Sequence, residues 1–389
     1  MPKNSLVNII HITSSLDNLT ETFIQGFVKE IDLLDQINLN VFTLDKPKLS
    51  KSLRNPVIQL KIPKFTNFKS KIREYSNAKI TQKKRLAEFG ISDIVYDSAK
   101  CVFIDFSVNF LNVFSTVEKF EKPVFVFLHG YDASKVFRNV EFRNKFQFLG
   151  GKNNVFFVSP CNYFLNKIKV NFGFNSNNLL KLPYGVNFQQ QARNIHSSSP
   201  EMFTLLFVGR FVPKKNPLAL IEMLNYLIKT KNLKNIRLVL IGIGPLMYRT
   251  LERVRKYGLE EYVIFKGALP HQKVLEEFQQ ATIYVQHSVT DFEGDQEGLP
   301  NSILEALVSG IPVVSTIHSG IPEVVVDGYN GYLVQEFDYC SMAERICDLL
   351  TNKSLYEGVV RNVIKTKAET LWTNKQRAES ILRQILGDV

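Results

Sequence analysis

Short runs of apolar residues alternate with amphipathic helical segments along the whole chain. In the first half, the runs that predict β-strands are residues 6–12, 39–44, 101–106, 123–129, 154–159 and 179–183. In the second half they are residues 203–209, 236–242, 262–267, 282–286, 311–316 and 331–334. The runs are continuously apolar, which is typical of parallel strands covered by helices on both faces. The pattern therefore predicts an α/β fold built from doubly wound sheets.

A polar, serine-rich segment at residues 187–202 divides the two halves. A chain of 389 residues is too long for one ordinary hydrophobic core, so two domains are expected. We predict a Rossmann-like domain over residues 1–190 and a second one over residues 203–370. Because ligands of such sheets bind beyond the carboxyl ends of the strands, a site is expected in a cleft between two facing domains.

The composition is that of a soluble globular protein, with 45% hydrophobic and 22% charged residues. No apolar run approaches the roughly 20 residues of a membrane-spanning helix, and the N-terminal apolar run is interpreted as the first strand. The cysteines Cys101, Cys161, Cys340 and Cys347 lack metal-site spacing. They are interpreted as buried thiols of a reducing cytosol rather than as disulfides or metal ligands.

The net charge of +11 is concentrated in one stretch. Lys61–Arg85 holds nine basic residues and one acidic residue, with Phe65, Phe68, Ile72 and Tyr75 at helical spacing. A basic helix with an apolar stripe favours an anionic membrane surface, at about 1 kcal/mol per nearby basic residue. The alternative is a solvated helix whose stripe packs on its own domain. Nucleic acid is disfavoured because no binding signature accompanies the charge.

Carboxylates flank a predicted helix start within residues 293–315. Gly298 allows a close turn, Pro300 suits a first helical position, and Gly310 with Pro312 ends the helix. Unpaired amides of Leu299, Asn301 and Ser302 would bind an anion there. Carboxylates such as Glu297 and Glu305 accept paired hydrogen bonds from vicinal hydroxyls. A diphosphate flanked by two sugars, that is, a nucleotide sugar, fits this combination.

Cations for a diphosphate follow an earlier strand. Arg210 comes directly after the strand at 203–209, and Lys214 and Lys215 precede a helix predicted from about Pro217. We assign Arg210 and Lys215 to the phosphates and interpret Lys214 as a surface salt-bridge residue. The other acidic residues of the loop, Asp291, Glu293 and Asp295, are interpreted as solvated charges.

Several motifs together resemble the GT-B glycosyltransferases of family 4, the glycosyl transferases group 1. The resemblance covers residues 203–335 densely, through "GRFVPKK" (209–215), "IGIGPL" (241–246), "EGDQEGLPNSILEALVSGIPVVS" (293–315) and "SGIPEVVVDGYNGYLV" (319–334). It is strongest to the bacterial exopolysaccharide and lipopolysaccharide biosynthesis subgroup. The first half is similar more weakly, through "TETFI" (20–24), "FLHGYDAS" (127–134) and "PYGVN" (183–187). The glycine-glycine loop that many members carry after the first strand is absent.

The resemblance implies the GT-B fold, with an acceptor domain, a donor domain and a C-terminal helix at 371–389 that crosses back to the first domain. It implies a retaining hexosyl transfer from a nucleoside diphosphate sugar to a saccharide acceptor, lipid-linked in polysaccharide biosynthesis. Glu297 and Glu305 fit the E-x7-E element, the first associated with the donor sugar and the second with the ribose. His129, from the HGxD segment, is expected to orient or polarise the donor. Gly244 and Gly267, at strand ends, are expected in the donor site.

Other assignments were weighed against this one. Gly242-x-Gly244 could begin a nicotinamide-cofactor fingerprint, but Met247 stands where the third glycine belongs. No DxD motif supports a metal, so no metal and no cofactor are expected, and a UDP-sugar is favoured over a GDP-sugar as co-substrate. The alternatives in function are an inactive scaffold of the same fold and a transferase acting on a small soluble acceptor. The expected location is the cytoplasm, peripheral on the inner face of the membrane if the basic stretch binds lipid.

Overall fold

The computed structural model describes residues 6–16, 22–47, 53–61, 80–115, 117–186 and 202–386. It divides the chain into two compact units, one of Met1–Gly185 with Asn374–Val389 and one of Val186–Thr373. The predicted linker at 187–202 lies almost entirely outside the described residues. Each unit is an α/β domain around its own parallel sheet.

The first unit is built on a seven-stranded sheet in the order β3-β2-β1-β5-β7-β8-β9, and every pairing is parallel. The strands of this unit are β1 Val7–Thr13, β2 Ile37–Thr43, β3 Ile58–Gln59, β4 Ile80–Thr81, β5 Ala99–Asp105, β6 Val117–Lys119, β7 Val124–Phe127, β8 Val155–Ser159 and β9 Leu179–Lys181. Strands β4 and β6 form a separate small sheet. Its helices are α1 Thr22–Leu33, α2 Gln82–Glu88, α3 Asp93–Ser98, α4 Ser107–Phe114, α5 Val140–Gly150, α6 Asn162–Phe172 and, from the end of the chain, α13 Asn374–Leu386.

The second unit is built on a six-stranded parallel sheet in the order β12-β11-β10-β13-β14-β15. Its strands are β10 Phe203–Val208, β11 Ile236–Ile241, β12 Val263–Gly267, β13 Ile283–Gln286, β14 Val313–Thr316 and β15 Gly331–Val334. Its helices are α7 Pro217–Lys229, α8 Met247–Tyr257, α9 His271–Gln280, α10 Asn301–Val308, α11 Tyr339–Thr351 and α12 Lys353–Glu369. The strand order reverses direction between β10 and β13, so the loops after these two strands meet at the ligand edge of the sheet.

Each predicted strand is present, and the predicted α/β fold class is confirmed. Strands β7, β13 and β14 are buried at every position, as their continuous apolarity predicted. The sequence did not predict β3, β4 or β6, because two or three residues carry too little pattern. The cysteine interpretation is wrong in one respect. All four thiols are free and Cys101 and Cys161 are buried, but Cys340 and Cys347 are only half-buried on α11.

The basic stretch Lys61–Arg85 is described only at its ends, and Phe65, Phe68, Ile72 and Tyr75 lie outside the described residues. The stretch is not one continuous helix, since β4 and then α2 occupy its last residues. Arg85 cannot contribute to a basic surface, because it is buried and donates to the carbonyl of Val113 at 2.7 Å. Within the residues that the structure describes, no helix is long and apolar enough to cross a bilayer.

Candidate active site

Four charged residues named in the sequence analysis lie on the two loops at the switch point of the second sheet. The loop after β10 supplies Arg210, Lys214 and Lys215, and the long loop after β13 supplies Glu297. Lys215 Nζ lies 3.2 Å from Glu297 Oε2, and Lys214 Nζ lies 3.5 Å from Glu297 Oε1. The parallel sheet therefore brings together side chains that are more than 80 residues apart.

Glu297 is a carboxylate held by two buried lysines. Its side chain is 11% exposed, as is that of Lys215. Burial alone would raise the pKa of Glu297, but Lys215 and Lys214 outweigh burial and lower that pKa to about 2. The pKa of Lys215 is lowered, first by burial and also by the charges of Lys214 and Arg210. Glu297 is thus ionised at neutral pH, and the cations around it outnumber it.

The interpretation of Lys214 as a surface residue is wrong. Its side chain is 9% exposed, and it pairs with Asp295 at 3.1 Å as well as with Glu297. Burial lowers the pKa of Lys214, but Glu297 and Asp295 outweigh it, so the net shift is upward. Asp295 is correspondingly a partner of Lys214 and not a solvated charge. No local pattern signals this pairing, because it joins two loops.

The acidic loop has internal structure that its composition conceals. Asp291 is half-buried, and its Oδ1 accepts hydrogen bonds from the backbone amides of Glu293 and Asp295 at 2.8 and 2.9 Å. The interpretation of Asp291 as a solvated charge is therefore wrong. Glu293 is exposed, as predicted.

Helix α10 begins at Asn301, one residue later than predicted, so Pro300 is its N-cap and not its first helical residue. Gly298 brings two loops together, since its carbonyl accepts from the amide of Gly320 at 3.0 Å. None of the described residues accepts a hydrogen bond from the backbone amides of Leu299, Asn301 and Ser302. The hydroxyl of Ser302 is already engaged by Tyr284 at 2.7 Å, so only its amide is open to a ligand. The N-terminus of α10 therefore presents backbone amides that could bind an anion.

The glycine loop after β11 packs against the loop that carries the cations. A Cβ on Gly242 would lie 2.0 Å from the carbonyl oxygen of Gly209, and one on Gly244 would lie 2.7 Å from the backbone of Phe211. The amide of Phe211 also donates to the carbonyl of Ile243 at 3.0 Å. Gly267 accepts from the amide of Gly242 at 2.7 Å, which links β12 to the same loop. These glycines hold the loop of Arg210 and Lys215 in place.

Glu305 lies one turn into α10 and faces away from the core. Its Oε1 is 2.9 Å from Nε2 of His271, the first residue of α9. The hydrogen bond to Glu305 raises the pKa of His271. His271 was not predicted as a site residue, because nothing in the local sequence distinguishes it from a solvated helix residue.

His129 belongs to the first unit, where it lies directly after β7 in a buried polar network. Its Nε2 is 3.1 Å from Asp105 Oδ1, and its Nδ1 is 2.8 Å from the Tyr184 hydroxyl. The other carboxylate oxygen of Asp105, Oδ2, lies 2.8 Å from Nε2 of His11. The aspartate of the HGYD segment, Asp132, accepts from the amides of His129 and Gly130, both at 2.9 Å. Both ring nitrogens of His129 are therefore engaged inside its own unit.

A second histidine, His287, is buried directly after β13 without a hydrogen-bond partner among the described residues. Burial lowers the pKa of His287 to about 4, although Asp338 and Glu336 oppose the shift. The unfolded chain, with a pKa near 6.5, binds a proton that the folded chain excludes. Stability linked to His287 is therefore present above about pH 6.5 and is lost as the pH falls toward 4.

We expect the unfolding free energy to fall by about 2 kcal/mol more between pH 6.5 and 4.5 in the wild type than in His287→Leu. Urea unfolding at several pH values measures this difference. Parallel pH profiles for the two proteins would contradict the assignment. Carboxylates such as Glu297 are present in both proteins, so their protonation cancels in the comparison.

The two Rossmann-like sheets find matches among solved structures over the whole chain. The structure of Anabaena HepE in complex with UDP aligns with a TM-score of 0.74 at 15% identity, covering 98% of this chain and 100% of that one. The lipopolysaccharide outer core galactosyltransferase WaaB aligns with a TM-score of 0.70 at 17% identity, with the same coverage. The fold is that of the GT-B class.

The sequence comparisons place the second unit more narrowly. Residues 188–366 match the family model described as glycosyl transferases group 1. The putative colanic acid biosynthesis glycosyltransferase WcaL of Salmonella typhimurium is 39% identical over 109 residues, or 28% of this chain and 27% of that protein. The chain thus spans about a quarter of that relative's length. The family resemblance inferred from the motifs is confirmed.

Proposed function

We propose that the protein is a glycosyltransferase that moves a hexosyl group from a nucleoside diphosphate sugar to a saccharide acceptor in cell-surface polysaccharide biosynthesis. One observation carries the proposal. Lys215 and Lys214 pair with Glu297 at the switch point of a Rossmann-like sheet, just before the open amides of α10, and Arg210 lies on the same loop as the lysines. The match to the group 1 family model and the role of the relative WcaL in colanic acid biosynthesis support it.

Each part of such a donor has a chemical counterpart in the second unit. The diphosphate would be bound by Arg210, Lys215 and the backbone amides of Leu299, Asn301 and Ser302, which together supply positive charge without a metal. Glu297 accepts hydrogen bonds from the transferred sugar, and Glu305 accepts them from the ribose. A UDP-sugar is the favoured donor within this proposal.

Retention of the anomeric configuration is the stereochemical part of the proposal. Two carboxylates at the strand ends of the first unit, Asp105 and Asp132, are buried and fully engaged by hydrogen bonds. Neither is available as a nucleophile. This supports a same-face transfer in which the leaving diphosphate assists deprotonation of the acceptor, while Arg210 and Lys215 stabilise its charge. His129 would orient the donor by releasing one of its present partners.

The acceptor is proposed to be a saccharide, lipid-linked, and bound by the first unit. Location at the inner face of the cytoplasmic membrane is proposed on the basic residues of Lys61–Arg85, of which Arg85 must be discounted. The alternative of a small soluble acceptor predicts equal activity with and without lipid.

A panel of UDP- and GDP-sugars tests the function directly, by thermal shift and by release of nucleoside diphosphate without acceptor. A donor at a hundred times its Kd should stabilise the fold by about 2.7 kcal/mol. At equal concentrations, UDP-sugars should give larger thermal shifts than GDP-sugars. Retention is read from the anomeric configuration of the product by NMR. Stabilisation without any turnover, with or without acceptor, would indicate an inactive scaffold. A panel with neither shift nor turnover would contradict the proposed function.

A further inference from the structure

The loop that carries Glu297 is fastened at both ends by one pair of side chains. His318 lies shortly after β14, and Glu336 lies shortly after β15. Glu336 accepts a hydrogen bond from the amide of Thr290 at 2.8 Å, where the loop begins. His318 lies 3.1 Å from the amide nitrogen of Glu297, where the loop ends. Because His318 and Glu336 are 2.6 Å apart, both ends of the loop are held by one connected group.

The donors and acceptors of this pair are fixed by its partners. A backbone amide can only donate, so Nε2 of His318 must carry a lone pair toward Glu297. Nδ1 of His318 therefore carries the proton and donates it to Glu336 Oε1. Hydrogen bonding on one ring nitrogen thus sets the tautomer that the other needs. The imidazole is fully buried, so water does not compete for either bond.

Contacts inside the loop strengthen the closure. Gln296, next to Glu297, donates its side-chain amide to the Thr290 hydroxyl at 3.0 Å. The amide of Asp291 donates to the carbonyl of Asp295 at 3.1 Å. At the other end of its side chain, Glu297 is fixed by Lys215 and Lys214. The backbone and the carboxylate of Glu297 are therefore located by separate sets of partners.

A purely space-filling role does not account for His318. His287, in the same unit, is equally buried and has no hydrogen-bond partner among the described residues. Of these two histidines, only His318 connects two strand ends to the backbone of a candidate site residue. The second unit thus offers its own matched control for the loss of a buried imidazole.

We propose that His318 and Glu336 are positioning residues that hold the backbone of Glu297 so that its carboxylate meets the donor sugar. Neither touches the ligand; each acts through Glu297. The proposal rests on the proposed function for what Glu297 does in the reaction, while the closure of the loop is independent of it. Displacing a reacting or binding group by about 1 Å is enough to lower turnover a hundredfold.

The first experiment compares His318→Leu with His287→Leu in the full chain. We expect His318→Leu to lower kcat for donor turnover about a hundredfold, because Glu297 is no longer held in place. The Kd for the free nucleoside diphosphate should change by less than about threefold, since that ligand lacks the sugar. His287→Leu should keep the wild-type kcat. Equal losses of kcat in the two variants, or a wild-type kcat in a folded His318→Leu, would overturn the proposal.

The second experiment asks whether the hydrogen bond itself matters. In His318→Gln the side-chain carbonyl can take the position of Nε2 and accept from the Glu297 amide. We expect this variant to recover at least about tenfold of the kcat lost in His318→Leu. If His318→Gln and His318→Leu lower kcat equally, the hydrogen bond to the Glu297 amide does not determine turnover and the proposal fails.

Hydrogen–deuterium exchange separates this proposal from the proposed function, because it needs no donor. Exchange over residues 290–297 should be at least about tenfold faster in His318→Leu than in the wild type or in His287→Leu. Glu336→Ala, which removes a half-buried side chain, should give the same increase if His318→Leu does not fold. If exchange is faster in His318→Leu but the wild type turns over no donor, the proposed function is refuted while the role of His318 in holding the loop stands. Unchanged exchange in both variants would refute the closure even in an active enzyme.

Discussion

Replacing Lys215 with alanine is expected to lower donor turnover roughly ten- to a hundredfold, because one charge-assisted contact to the diphosphate is worth about 1.5–3 kcal/mol. The same change should destabilise the fold. Lys215 is one of only two lysines that compensate the buried carboxylate of Glu297 among the residues described. Breaking a buried pair from one side lowers stability by on the order of 3 kcal/mol. Steady-state donor hydrolysis and urea unfolding measure the two effects.

Arg210→Ala is the matched comparison. Arg210 is exposed at the same strand end, so its removal should leave stability within about 0.5 kcal/mol while still weakening diphosphate binding. A double variant, Lys215→Ala with Glu297→Gln, should regain the stability that Lys215→Ala loses but not the turnover. Lys231→Ala, which removes a surface pair with Glu344, should alter neither. Wild-type turnover in folded Lys215→Ala and Arg210→Ala would refute the phosphate assignment.

Ion pairs balance the buried charges of the candidate site in the second unit. Lys215 and Lys214 lie against Glu297, and Lys214 also pairs with Asp295. A diphosphate offers Lys215 a second, more highly charged partner. Glu297 is then less tightly engaged and its oxygens become available to sugar hydroxyls. On this account Lys215 positions Glu297 before the donor binds and then contacts the leaving diphosphate.

The site residues that the sequence predicts are those whose neighbours in the chain form a recognisable pattern. Glu297 lies just before a helix that starts after Pro300, Glu305 lies one turn into that helix, and Arg210 follows an apolar run, so their places could be inferred from neighbouring residues. The unpredicted parts depend on contacts between loops. Lys214 finds Asp295 only because β10 and β13 are adjacent, and His318 finds Glu336 only because β14 pairs with β15. Strand order is a property of the sheet, which no short window of sequence contains.

The histidines also show that local sequence does not reveal contacts between distant parts of the chain. His129 was predicted from its HGxD context, which placed it correctly at a strand end. The context did not reveal that both of its ring nitrogens are engaged by Asp105 and Tyr184. His271, His287 and His318 stand in no comparable motif. His271 contacts Glu305, His287 is buried without a hydrogen-bond partner among the described residues, and His318 contacts the backbone of Glu297. A lone histidine acquires its role from the residues that fold around it.

The roles of the two glutamates are separated by comparing Glu305→Gln with Glu297→Gln. The ribose is bound alike in the ground state and the transition state, so Glu305→Gln should raise the Kd of the free nucleoside diphosphate about tenfold with little change in kcat. The transferred sugar changes geometry during the reaction. Glu297→Gln should therefore lower kcat about a hundredfold, because it removes a contact that strengthens in the transition state.

Free nucleoside diphosphate, titrated calorimetrically into both variants, provides the decisive comparison. Glu297→Gln should bind it as tightly as the wild type or more tightly, because Lys215 loses a competing carboxylate. Unfolding curves for both variants exclude a general loss of structure as the cause. Nucleotide affinity that falls in Glu297→Gln and is unchanged in Glu305→Gln would reverse the two assignments, placing the ribose against the buried lysines and the sugar beside His271.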